Sequence, residues 1–168
     1  MNSWQIFHLL KRHPQTRGVF VGVYAVDDLP RKPRYRKPCA YIANTDPKSE
    51  PGTHWVAFYF GKIGVDYFDS SGRYPLPEFQ HFMGTWNYKR NAHQIQSLMT
   101  STCGQHCIFY IWKRSQGLEM EDIVSKFDKH NLLKNDVFVT ESVESQFRTN
   151  LEVIDVRFLS RQISRKLT

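Results

Sequence analysis

Three cysteines, at 39, 103 and 107, are too few and too odd in number for a disulfide framework. A reducing compartment and at least one free thiol are therefore expected. No CxxC or HxxxH pattern stands beside them, which argues against a zinc site. No run of about 18 apolar residues exists, so no membrane span is expected. The opening MNSWQIFHLLKRH has neither a long apolar stretch nor a cleavage site, so no secretory leader is expected. Repeats and low-complexity tracts are absent, which excludes solenoids and linker-like segments.

What remains is enough for one domain over 1–168. Apolar residues make up 40% and aromatics 14%, ample for a core at this length. The net charge is +7, with a cluster in RKPRYRKP: Arg31, Lys32, Arg34, Arg36 and Lys37. Further basic groups stand at Lys89-Arg90, Lys113-Arg114 and Arg161–Lys166. Such patches attract polyanions, and Tyr35 can stack on a base.

Residues 39–44, 54–60, 64–69 and 91–96 read as strands, with Gly61 to Gly64 a tight connection. Ser3 reads as the cap of a short helix, and Pro77–Met83 as another. Residues 103–115 read as a buried helix ending before Gly117, with further helices over 119–128 and 134–148. Residues 152–158 read as a last strand or part of a helix, with a loose tail after them. The expected fold is α+β: a mixed or antiparallel sheet packed against the central helix.

Chemistry concentrates at that helix. Cys103 opens it, where the helix N-terminus favours thiolate. His54 opens the strand-like HWVAFYF and can accept the thiol proton, then return it to a leaving amine. Asp69 closes the next strand and can fix the imidazole tautomer. Gln96 can donate to an oxyanion beside the backbone N–H of Cys103. Gly104 lets backbone and substrate approach closely, and Trp55 can wall a narrow substrate channel. His106 faces away from Cys103 on the helix, and Cys107 reads as buried and inert.

Four stretches carry a family likeness: GVFVGVYAVDDLP (18–30), CAYIANTDPKSEPGTHWVAFYF (39–60), YFDSSGRYPLPEF (67–79) and QSLMTSTCGQHCIFYIW (96–112). With His-Trp, an acid, Gln seven residues before Cys, and Cys-Gly, the chain resembles adenain, the adenovirus-type cysteine endopeptidase. It resembles more distantly the proteases of ubiquitin-like modifiers. The resemblance implies a triad of His54, Asp69 and Cys103, with Gln96 at the oxyanion hole. It implies cleavage of viral precursor proteins beside small residues such as glycine. DNA and a peptide are implied as activators, and the virion and host nucleus as locations; a monomer is expected. The chain departs from adenains in having Asp69 where they often have Glu, and in being shorter towards its C-terminus. It also lacks any cysteine between Cys39 and Cys103, the thiol that in many adenains links the activating peptide. These departures fit a relative from an adenovirus-like virus or a virus-like transposon. Two further readings are an isopeptidase for ubiquitin-like modifiers and a non-enzymatic nucleic-acid-binding domain.

Overall fold

The run CAYIAN is buried at every position in the computed structural model, which describes residues 1–33 and 38–148. Strand alternation explains how. Ala40 and Ile42 point into one apolar cluster, while Cys39, Tyr41 and Ala43 point into a second. A strand covered on both faces needs an unbroken apolar run, and this one, β2 (Cys39–Asn44), has it. β1 (Phe20–Tyr24), β2, β3 (Trp55–Phe60), β4 (Val65–Phe68) and β5 (Tyr88–Arg90) form a five-stranded sheet in that order. The two central pairings are antiparallel, and the outer pairs β1–β2 and β4–β5 are parallel.

One face packs on α2 (Pro77–Met83) through an aromatic nest in which the Phe82 ring meets Tyr41, Phe58 and Phe60 edge-on. The other face packs on α3 (Cys103–Ser115), apolar nearly all round because it is covered nearly all round. α1 (Ser3–Arg12), α4 (Met120–Val124) and α5 (residues 132–148) complete that cover through Ile6, Leu9, Ile123, Val139 and Phe147. The architecture is α+β, a mixed sheet with the cysteine-bearing helix packed against it. No helix among the described residues is long and apolar enough to cross a membrane.

Several boundaries differ from expectation. The cap of α1 is Asn2, not Ser3: Asn2 Oδ1 accepts from Gln5 N at 2.9 Å, and Gln5 Oε1 accepts from Asn2 N at 3.0 Å. Residues 91–96 form no strand. Their backbone groups bond outside any strand ladder instead, since Ile95 N and Gln96 N both donate to Ser70 O. The fifth strand lies just before them. α4 is confined to Met120–Val124, and α5 begins at 132. Residues 152–158, the Arg161–Lys166 group, and Arg34, Tyr35, Arg36 and Lys37 lie outside the described residues.

Candidate active site

The strand β3 begins one residue after His54, and β4 ends one residue before Asp69. Antiparallel pairing of these strands brings the two side chains to one end of the sheet. There His54 Nε2–H donates to Asp69 Oδ1 at 2.6 Å. Asp69 Oδ1 also accepts Ser71 N–H at 2.7 Å, and Gly72 N–H closes the turn onto Asp69 O at 2.8 Å. Gly72 has φ of +67°, and a side chain there would come within 2.6 Å of the His93 backbone. The turn thus requires glycine at this position. Asn91 braces the same acid from behind, accepting from Asp69 N and donating to Asp69 O.

Cys103, only 6% exposed at the start of α3, lies close enough to the His54 ring for each to shift the other's pKa. Burial alone would raise the thiol's pKa. The attraction of the His54 ring, of the Trp55 and Gly104 backbone N–H groups and of the His54 charge outweighs it and holds the thiol below its ordinary value. Burial would likewise lower the imidazole, but the hydrogen bonds and charges of Asp69 and Cys103 raise His54 to about 9. These shifts favour one state of the pair, a thiolate facing an imidazolium.

Gln96 is buried, with its amide held at both ends. Ser70 Oγ–H donates to Gln96 Oε1 at 2.6 Å, and Gln96 Nε2 donates to Thr100 O at 3.1 Å. One of the two amide hydrogens remains for another acceptor. Thr100 O can only accept, which fixes the end of the amide facing it as the donor.

The other anticipated residues separate. Gly104 lies against the protein, not a cleft: a side chain there would meet Met1, Ile6 and Trp55 at 3.2, 3.4 and 3.6 Å. Its absent side chain serves close packing of α3 against Met1, Ile6 and Trp55. Trp55 is half-buried, donates Nε1–H to Met1 O at 3.3 Å, and walls a groove of about 270 Å³ with Asn44, Val23, Tyr24 and Gly52. Cys107 donates to Trp55 O at 3.3 Å, and burial keeps it protonated. His106 is fully buried on Asp136 at 2.9 Å. Arg31 and Lys32 are exposed; their partners in the basic cluster are outside the described residues. Among the described residues no group of three or more His, Cys, Asp or Glu could hold a metal ion.

Ser70, Asn91 and Asp136 escaped the sequence reading. Ser70 and Asn91 stand beside residues that did not, yet nothing in their types marks them as braces. Asp136 has no sequence signal at all.

No protein-family model matches the sequence, and no curated protein matches it. Solved structures do. The ASFV pS273R protease superposes with a TM-score of 0.54 at 18% identity, over 83% of this chain and 65% of that one. A selenomethionine form of that protease gives 0.46 at 22%, over 62% and 44%. The SUMO protease Ulp1, with its catalytic cysteine oxidised to a sulfonic acid, gives 0.44 at 10%, over 85% and 79%. The chain spans less than two thirds of the length of either ASFV protease structure. By the 0.54 superposition, the chain shares the fold of the ASFV pS273R protease.

Proposed function

We propose that the protein is a cysteine endopeptidase of viral type that cleaves precursor proteins beside small residues such as glycine. The observation that carries this reading is the His54 ring, hydrogen-bonded to the Asp69 carboxylate and electrostatically coupled to the Cys103 thiol. In the reaction the Cys103 thiolate attacks the scissile carbonyl carbon, and the C=O electron pair moves onto oxygen. The spare Gln96 N–H and the Cys103 backbone N–H receive that oxyanion. Collapse expels the amine, which takes the proton held by His54, and leaves a thioester on Cys103. His54 then accepts a proton from water as hydroxide attacks the thioester carbonyl. The tetrahedral adduct collapses with cleavage of its C–S bond, the acid product leaves, and the released thiolate again faces the His54 imidazolium, which closes the cycle. Trp55, next to His54 in the chain, admits only thin residues beside the scissile bond.

Protein substrates, activation by DNA or a peptide, a monomeric state, and residence in the virion and host nucleus belong to the same proposal. The name of the ASFV neighbour supports a viral setting.

Cys103→Ala is expected to abolish hydrolysis of glycine-containing peptides while leaving the melting temperature nearly unchanged. Iodoacetamide is expected to label Cys103 faster than Cys39 or Cys107, because alkylation needs thiolate. Equal labelling of all three, or full activity in the alanine variant, would sink the reading. Preferential cleavage of ubiquitin-like modifiers over the peptides would replace it with an isopeptidase.

A further inference from the structure

The segment between Gln96 and Cys103 has no regular structure, yet both its ends must stay in place for the chemistry. What holds it is a single carboxylate. Asp136, only 3% exposed on α5, accepts four hydrogen bonds: Ser97 N at 3.0 Å, Thr100 Oγ1 at 2.7 Å, Thr102 Oγ1 at 2.9 Å and His106 Nε2 at 2.9 Å. Four donors fill the acceptor capacity of a carboxylate. They come from the residue after Gln96, from the residue whose carbonyl receives the Gln96 amide, from the residue before Cys103, and from the first turn of α3. The preceding residue, Asn135, donates Nδ2–H to Ile95 O at 2.9 Å, just ahead of Gln96. Two consecutive side chains of α5 therefore grip the segment from 95 to 106.

Such a buried charge is retained at the cost of desolvation. It satisfies donors that an apolar residue would orphan, Ser97 N–H and the buried His106 Nε2–H above all. Thr102 is the N-cap of α3, but it makes no capping bond and gives its hydroxyl to Asp136 instead. The ordinary helix-capping use of that threonine is absent, and the first turn's N–H groups stay open towards the thiol.

Resting on the peptidase reading above, we propose that Asp136 is a positioning residue for catalysis. It holds the 97–102 segment so that the Gln96 amide and the Cys103 sulfur keep the separation an oxyanion intermediate needs. Asp136 touches neither His54 nor the reacting atoms, so the thiolate–imidazolium pair does not depend on it directly.

The test is Asp136→Asn in the full chain, which places a donor where four donors converge. Amide exchange over 97–102 is expected to speed up by roughly tenfold, with β2 and β3 unchanged. The kcat for peptide hydrolysis is expected to fall on the order of tenfold to a hundredfold with KM nearly constant. Iodoacetamide alkylation of Cys103 needs no oxyanion donor and is expected to keep its parent rate and pH dependence. Loss of alkylation rate in parallel with kcat would instead mean general collapse of the site and overturn the proposal. So would unchanged exchange, or faster exchange with unchanged kcat. If the asparagine variant fails to fold, Thr100→Val removes one donor and keeps the carboxylate; its kcat is expected to fall in the same direction, and an unchanged kcat overturns the proposal. A parent protein with neither hydrolysis nor fast alkylation of Cys103 would fail the peptidase reading itself. A parent active in both, with an Asp136→Asn variant equally active, would fail this inference alone.

Discussion

At the scale of the residue, each member of the His54–Cys103 pair has its pKa moved towards the charged state. His54 is raised to about 9 and Cys103 is held below its ordinary thiol value. Below the pKa of Cys103 the thiol is protonated and a poor nucleophile; above about 9 the imidazolium that protonates the leaving amine is lost. A bell-shaped kcat/KM profile with its alkaline limb near 9 is expected from the pH dependence of peptide hydrolysis. In Asp69→Asn the carboxylate charge that raises His54 is gone, so that limb should move to lower pH, and a limb that stays in place would remove Asp69 from the site. Gln96→Ala should lower kcat by roughly 10²–10³ with little change in KM, and a rise in KM alone would make Gln96 a substrate-binding residue. His54, Asp69, Gln96 and Cys103 stand out in the sequence only as a set, in the order and spacing that the adenain resemblance supplies. Ser70 and Asn91 do not, because they act by bonding an amide and a backbone unit that only the folded chain brings to them.

At the scale of the element, apolar runs were the legible part. CAYIAN, WVAFYF and the helix from Cys103 to Ser115 stand where their patterns place them, since burial on two faces leaves a strong signal. Residues 91–96 misled because Ile95 and its neighbours look strand-like, while their backbone groups bond to Ser70 O and to side chains. β1 has Gly22 beside a register shift and was not anticipated. The Asp69–Gly72 turn allows a sharp comparison between two glycines of nearly equal φ, +67° at Gly72 and +66° at Gly84. Alanine at either incurs backbone strain of about 1–3 kcal/mol. At Gly84 nothing lies within 4 Å of the new methyl, whereas at Gly72 it meets backbone atoms of His93 and Gln94 at 2.6 and 2.7 Å. Gly72→Ala should therefore lower the melting temperature more than Gly84→Ala, and it alone should reduce kcat by shifting Asp69. Equal melting temperatures and equal kcat in the two variants would show that the turn tolerates the methyl and that Asp69 does not depend on it.

At the scale of the whole molecule the dominant property is the excess charge of +7. The long-range field of such a chain draws polyanions regardless of sequence, and the local density is highest from Arg31 to Lys37. Arg31 and Lys32 are both exposed. If this segment binds nucleic acid, changing Arg31, Lys32, Arg34, Arg36 and Lys37 to Gln should weaken duplex binding equally for all sequences. It should also reduce the slope of log affinity against log salt by roughly 0.9 for each phosphate that the variant no longer neutralises. Hydrolysis of a short neutral peptide without DNA should stay at the parent rate, because His54, Asp69, Gln96 and Cys103 are untouched, while any stimulation by DNA should fall. A titration at two salt concentrations beside peptide kinetics reads all three quantities. Unchanged affinity and slope would move the binding surface to another basic group, such as Arg161–Lys166, and no binding by the parent protein would leave the charge a solvated surface with no polyanion partner.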